Sequence, residues 1–158
     1  MKVYMAALFS RREEMEDKAI FLRASGYQVV SSWVFGGEEG LARSDIAVLD
    51  LDDVEKADIL LAFSHPRGTH TPGGGRHIEF GYALARGKIC VVIGPRENVF
   101  HEHPSVIQYD SLQEFLNHFR PSQQLSHPGN HQTLWQYDQL DRCDAPSKLP
   151  SDATTQSS

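Results

Sequence analysis

Cysteine is nearly absent from this chain: two in 158 residues, Cys90 within an apolar run and Cys143 within a polar stretch. They do not read as a pair, and neither has a second cysteine at metal-ligand spacing. That excludes a disulfide-stapled domain and a zinc finger, and fits a reduced, cytoplasmic setting. Long hydrophobic runs are missing as well, none approaching the roughly 18 apolar residues of a membrane span. At the N-terminus, Arg11 and Arg12 close the apolar stretch before it reaches the length of a signal-peptide core. Basic charge is in short supply too. Fifteen Lys and Arg face 21 Asp and Glu, a net charge of −6. A general nucleic-acid binder needs basic surface to displace counterions from phosphates, so that partner is not expected.

Several catalytic signatures are also lacking. No Gly-x-Gly-x-x-Gly opens a helix after the first strand, which removes the dinucleotide fingerprint. No Gly-x-Ser-x-Gly elbow exists for acyl transfer. The run from Gly81 to Gly87-Lys88 is one residue too long for a phosphate-binding loop, and Ile89 stands where a Ser or Thr is needed. His65, His70, His77, His101 and His103 gather near the expected active edge, but in no recognised ligand spacing. Neither a metal nor a cofactor is expected.

What the chain does have is alternation. Met1 to Leu8 is a short apolar run, a buried first strand. Ser10 with Glu13 matches a capping box for a helix reaching about Ala24, with Met15, Ala19, Ile20 and Leu22 inward and Gly26 as its stop. Tyr27 to Val34 is β-branched and aromatic, a second strand. Gly36-Gly37-Glu38-Glu39 makes a polar loop. Leu41 to Lys56 reads as a helix offering Ile46, Val48 or Leu49, and Val54 to the core. Ile59 to Phe63 and Ile89 to Ile93 are continuous apolar strands of the parallel kind. Val106 to Tyr109 is a short fifth, and Ser111 caps a last helix to Phe119.

Strand and helix in turn, joined by short connections, predict an α/β domain: a flavodoxin- or Rossmann-like three-layer sandwich around a parallel sheet of about five strands. It spans residues 1–120. From Pro121 to Ser158 the composition turns to Ser, Gln, His, Pro and Asp without periodicity, a polar tail expected to be disordered. Ligands of such sheets bind at the carboxyl ends of the strands. The unusual residues fall there: Tyr4 to Ser10, Trp33 to Gly37, Ser64 to Gly75 and Gly94 to His103.

The chain is organised around Thr71 to Lys88. Three glycines, Gly73, Gly74 and Gly75, precede a helix expected from about Arg76 to Arg86 and stopped by Gly87. Glu79 is expected in its first turn, where the helix dipole favours an ionised carboxylate. Such a group beside a glycine-lined hollow is a candidate nucleophile. Its plainer role is to satisfy the dipole.

Residues Met1 to about Phe119 resemble the nucleoside 2-deoxyribosyltransferase family, with its relatives the 2′-deoxynucleoside 5′-monophosphate N-glycosidases. Val3-Tyr4-Met-Ala6 is similar to the first strand with its active-site tyrosine. Asp50-Leu-Asp-Asp-Val-Glu-Lys-Ala-Asp58 is similar to the segment whose catalytic aspartate precedes the Ala-Asp start of the third strand by eight residues. Glu79-Phe-Gly-Tyr-Ala-Leu-Ala-Arg-Gly-Lys88 is similar to the nucleophile helix nearly position by position. Asn98 follows the fourth strand where the transferases bind the sugar 5′-hydroxyl. Six residues before the nucleophile, where the transferases carry a second aspartate, this chain has Gly73.

The resemblance implies cleavage of the bond between a nucleobase and 2-deoxyribose. Glu79 would form a glycosyl-enzyme beneath an oxocarbenium-like transition state. Asp50, or Asp52 failing it, would supply the leaving base with a proton. Tyr4 would hold Glu79 by a hydrogen bond, and Trp33 or Phe35 would stack on the base. Gly75, Arg76 and His77 complete the substrate side. An acceptor base makes the enzyme a transferase, and water makes it a hydrolase. For a monophosphate substrate, Ser10, Arg11, Arg12 and Arg76 are the phosphate candidates. A non-catalytic nucleotide-binding module on the same fold is the third possibility. The expected partners are a small deoxynucleoside or deoxynucleotide and, by the resemblance, further copies of the chain in a dimer or larger homo-oligomer.

Overall fold

Burial on both faces is what the apolar runs ask for, and a central parallel sheet supplies it. In the computed structural model, which describes residues 1–65 and 74–119, β1 (Lys2–Ala6), β2 (Gln28–Val29), β3 (Ile59–Phe63), β4 (Ile89–Ile93) and β5 (Ile107–Tyr109) form one sheet in the order β2-β1-β3-β4-β5. Every described pairing is parallel, with Val3 opposite Ile59 and Ile59 opposite Ile89. All five residues of β3, the middle strand, are buried. Each aliphatic side chain so buried contributes about 1.5–3 kcal/mol of transfer free energy.

Four helices cover the sheet: α1 (Arg12–Ala24), α2 (Arg43–Lys56), α3 (Gly75–Ala85) and α4 (Leu112–His118). The chain leaves β1 outward to β2, then crosses back over β1 to β3. Right-handed connections therefore put α1 on one face and α2 with α3 on the other. The strand order reverses between β1 and β3, which makes the carboxyl ends of these two strands the topological switch point. The three-layer α/β arrangement expected from the alternation is present. Among the described residues no helix is long and apolar enough to cross a membrane.

Several local expectations are corrected. The strand read over Tyr27–Val34 is only Gln28–Val29, followed by a 3-10 turn at Ser32–Phe35. Ser31 Oγ accepts from the Met5 N–H at 2.6 Å, and the Trp33 indole donates to the Met5 carbonyl at 2.9 Å, so side chains bend the segment away from the sheet. Ser10 caps no helix. It lies in a 3-10 turn, Phe9–Arg11, and α1 starts at Arg12 without a side-chain cap. Ile20, expected inward, is exposed, and of the alternatives Val48 and Leu49 the first is exposed and the second half-buried. Ser111 does cap α4, accepting from the Glu114 N–H. Gly26 and Gly87 close α1 and α3 with positive φ, as read. The expectations for the tail beyond residue 120 and for Thr71 to Gly73 lie outside the described residues.

Candidate active site

A cavity of about 620 Å³ opens at the switch point, lined by Ala7 to Ser10, Trp33, Glu38, Ile46, Asp50, Gly75, Arg76 and Glu79. Each wall follows from local sequence. The end of β1 supplies Ala7 and Leu8. The 3-10 turn after it supplies Phe9 and Ser10. Helix α2 runs past with Ile46 and Asp50 one turn apart on the same side, and α3 begins at the cavity with Gly75.

Glu79 is five residues beyond the N-cap Gly74, so it lies in the second turn, and no acidic residue occupies the first. The helix dipole is thus a weaker influence than the sequence suggests, since it falls off within one turn. Two stronger influences oppose ionisation. Burial, then the Asp50 charge, push the Glu79 carboxyl up to about 8, while the hydrogen bond from Tyr4 pulls the other way. The expectation of a carboxylate kept ionised by the dipole is corrected accordingly. Gly74 has φ −103, and neither it nor Gly75 has a positive φ. Gly75 instead leaves space: a Cβ there would lie 3.8 Å from Glu79 Oε1.

Tyr4 is fully buried in β1. Its hydroxyl stands 3.5 Å from Asp50 Oδ1 and also hydrogen-bonds Glu79. Burial, then the charges of Glu79 and Asp50, hold the phenol far above its ordinary range, so it acts as a donor that keeps its proton. Asp50 is raised by burial and by the Asp53 charge, in spite of hydrogen bonds from Glu38 and Tyr4. Tyr4, Asp50 and Glu79, which the resemblance puts in one site, are brought together.

One charged residue of this wall, Glu38, was not singled out from the sequence as a site residue. Glu38 reaches the cavity from the loop after the second 3-10 turn. Burial, then the charge and hydrogen bond of Asp50, push its carboxyl up to about 7. The loop is set by Gly36, with φ 77, and by Gly37, where a Cβ would meet Ser32 Cβ at 2.8 Å and Ser32 O at 2.9 Å. The buried Asp53 anchors the same turn, accepting from Ser32 N at 2.9 Å, Ser32 Oγ at 2.6 Å and Lys56 Nζ at 2.9 Å. Asp52, one residue earlier, is exposed. The double glycine before Glu38-Glu39 is the signal that a tight, functional turn was present.

Trp33 is buried and lines the cavity, whereas Phe35 lies under the Arg23 guanidinium, 3.8 Å from its ring centroid. Arg11 is engaged elsewhere. It pairs with Glu14 through two 2.8 Å contacts and donates to the carbonyls of Phe63 and Ser64. Arg12 reaches Glu39 at 3.3 Å. Ser10 lines the cavity but makes no cap.

No protein-family model matches the chain, and no curated protein matches it in sequence. Solved structures do. The CMP N-glycosidase BcmB of Clostridium botulinum is similar with a TM-score of 0.52 at 25% identity, over 75% of this chain and 97% of that one. A 2-deoxyribosyltransferase of Leishmania mexicana is similar with a TM-score of 0.57 at 15% identity, over 75% of this chain and 98% of that one. The fold is that of the nucleoside 2-deoxyribosyltransferase family.

Within the deoxyribosyltransferase fold the remaining expected residues form a second cluster beside α3. Arg76 is buried and donates through Nη2 to both Glu97 oxygens, at 3.1 and 3.2 Å. Its Nε and Nη1, also buried, have no hydrogen-bond partner among the described residues. Glu97 also accepts from the His65 N–H at 2.8 Å. Asn98 does not line the cavity. Its Oδ1 accepts from the N–H groups of Phe100 and His101, capping a 3-10 turn, and its Nδ2 lies 3.3 Å from His77 Nδ1. His77, Glu97 and His101 bring one ligand atom each within 4.8 Å of one another, a juxtaposition that sequence spacing does not reveal. Burial lowers both histidines, which favours the neutral, ligand-competent ring. The carboxylate, however, is already taken by Arg76.

Proposed function

We propose that the chain is a nucleoside 2-deoxyribosyltransferase-like enzyme. It cleaves the N-glycosidic bond of a 2′-deoxynucleoside through a covalent glycosyl-Glu79 intermediate and passes the sugar to another base. The observation that carries this reading is the placement of Glu79 on the wall of a nucleoside-sized cavity, hydrogen-bonded by Tyr4 and faced by Asp50. A carboxylate so desolvated is poorly stabilised in the empty site. It gains most when positive charge develops at the anomeric carbon, which is differential stabilisation of the transition state.

The steps follow from the groups present. The bond from the anomeric carbon to the base nitrogen breaks, and its electron pair stays with the base. Glu79 enters the step ionised, its proton lost to solvent beforehand, and one of its oxygens bonds the anomeric carbon as Asp50 gives the base a proton. Tyr4 donates to the Glu79 oxygen that remains free, holding it in line. In the second half an acceptor base or water attacks the same carbon and releases Glu79, and Asp50 takes up the proton. Attack twice on one carbon retains its configuration. Trp33 is placed to meet the base.

A second reading, a nucleotide 5′-monophosphate N-glycosidase, is favoured by one feature: Arg76, on the cavity wall with two guanidinium nitrogens lacking partners among the described residues. The similarity to a CMP N-glycosidase points the same way. In either reading the protein forms a homo-oligomer, an expectation that rests on the family.

Incubation with deoxynucleosides and their 5′-monophosphates, with and without a second free base, separates these readings. Base exchange that needs the added base, and is lost in Glu79→Ala, is the result expected of a transferase. Release into water from monophosphates alone makes it an N-glycosidase. No release from any of them removes the glycosyl-transfer reading.

A further inference from the structure

Among the described residues lining the cavity, Glu38 is the one charged group to which the reaction gives no task. Glu79 and Asp50 carry the chemistry, and Arg76 is the phosphate candidate. Trp33 is placed to meet the face of the base, and stacking of that kind accepts any base. Choice among bases therefore needs a polar group at the edge of the ring. We propose that Glu38 is that group, accepting a hydrogen bond from an exocyclic amino group of the bound base. The substrates so selected carry the 6-amino group of a purine or the 4-amino group of a pyrimidine. This deepens the function proposed above and rests on it.

The fold presents Glu38 for the task. Trp33 lies in the 3-10 turn Ser32–Phe35, and Glu38 follows it by five residues, so one short segment supplies both wall groups. The segment is fixed along its length. Gly37 N donates to Ser32 O at 3.0 Å, Glu39 N to Gly36 O at 3.1 Å, and Leu41 N to the Glu38 carbonyl at 3.1 Å. Ser32 is held by Asp53 of α2, and the Trp33 indole by the Met5 carbonyl of β1. Contacts arranged before the ligand arrives cost little ordering entropy on binding. Elsewhere on the wall Ala7, Leu8, Phe9 and Ile46 contribute apolar side chains, which offer an amino group no acceptor.

The chemistry of the leaving base supplies the rest. A purine presents its basic N7 and its exocyclic group side by side on one edge. In cytosine the ring N3 likewise stands beside the 4-amino group. A base turned so that Asp50 protonates the ring nitrogen therefore turns the exocyclic group to the same stretch of wall. Glu38 borders that cavity too, and the Asp50 charge acts on it. A carboxyl keeps an acceptor oxygen in either protonation state and offers acceptors alone when ionised. An amino group satisfies it. An oxo oxygen in the same place sets acceptor against acceptor and leaves both unpaired, which is the arrangement that rejects a ligand most strongly.

The test is kcat/KM for base release by wild type, Glu38→Gln and Glu38→Ala. The substrates are deoxyadenosine against deoxyinosine and deoxycytidine against deoxyuridine, each also as its 5′-monophosphate. Assays at about pH 8.5 keep the Glu38 carboxyl, pushed up to about 7, ionised. Differences between leaving groups are common to all three proteins, so the change in the amino-to-oxo ratio on mutation isolates Glu38. Glu38→Gln should lower that ratio about tenfold or more. Part of the change should be a gain on the oxo substrate, because Gln keeps the size of Glu and adds an N–H donor. A purely structural role would lower both substrates together. Glu38→Ala should lose the preference as well. An unchanged ratio in an active Glu38→Gln protein, or release confined to oxo bases in wild type, overturns this inference and leaves the enzyme assignment intact. Wild type that releases no base from any substrate removes the assignment and the inference together. Far-ultraviolet circular dichroism checks that the variants are folded.

Discussion

Two charged clusters flank α3 and are built on opposite principles. On the cavity side Glu79, Asp50 and Glu38 crowd three carboxyls around one buried phenol. At the N-terminal end of α3, Arg76, which also borders the cavity, forms with Glu97 an ion pair whose side chains are only 7% and 16% exposed. In the first cluster Arg12 and Arg76 offset only part of the excess of like charge, and Glu38 and Glu79 respond by holding protons. In the second, opposite charges satisfy one another, apart from two nitrogens of Arg76 that have no partner among the described residues. Uncompensated charge is costly to keep, so the cavity side is where chemistry is expected. Compensated charge at the N-terminal end of α3 is stable without a ligand. Tertiary context, more than residue type, separates the two.

The comparison breaks most severely at the nucleophile. Glu79→Ala should lower base release by about 10⁴-fold or more while leaving the fold intact, since it removes the group proposed to bond the anomeric carbon. Initial rates, with circular dichroism as the folding control, check this. The ion-paired side should respond in the reverse sense. Glu97→Ala strands the Arg76 charge in a buried site and should cost about 3 kcal/mol of stability, read as a fall in Tm. Its chemistry at saturating substrate should suffer far less than in Glu79→Ala.

The pH dependence of stability sharpens the contrast. Glu79 holds its proton to about 8 when folded, against 4.5 when unfolded. The folded state therefore binds more protons between those values, and stability falls as pH rises through the window. Glu79→Gln removes the effect, so its Tm should exceed that of wild type by about 4 °C or more at pH 9 and differ little at pH 4. Thermal melts at the two pH values suffice. The smallest effect concerns the loop. Gly37→Ala drives a methyl into Ser32, at 2.8 Å from its Cβ and 2.9 Å from its carbonyl oxygen. Displacing Glu38 in this way should lower kcat/KM about tenfold for a base bearing the amino group and cost about 1–3 kcal/mol of stability.

The layers of the fold were legible because they depend on short-range pattern. Ile59–Phe63 and Ile89–Ile93 are continuous apolar runs, and their limits in the structure coincide with those read from sequence. The end of β2 was not legible. Its departure from the sheet is caused by Ser31 and Trp33 bonding to Met5, a partner more than twenty residues away in sequence. The capping box at Ser10 was well formed as a pattern but lost to the 3-10 turn that shapes the cavity mouth. In the site, Glu79, Asp50 and Tyr4 were carried by the family resemblance, and spacing alone would not have joined them. Glu38 was invisible as a functional group because a polar loop with two glutamates looks like a solvated turn. Only the fold brings it to the cavity wall. Arg11 shows the converse: a suitable phosphate ligand by residue type, already bound to Glu14 and two carbonyls.

The central claim is that Glu79 becomes glycosylated, and rapid acid quench followed by mass spectrometry tests it most directly. Wild type mixed with a deoxynucleoside that supports base release, quenched in the first turnover and digested, should yield the peptide containing Glu79 with one deoxyribosyl group added. The modification should vanish when acceptor base is supplied before the quench, and should be absent from Glu79→Ala. Base released at full rate with no sugar found on Glu79, or with the sugar on another residue, would contradict the account.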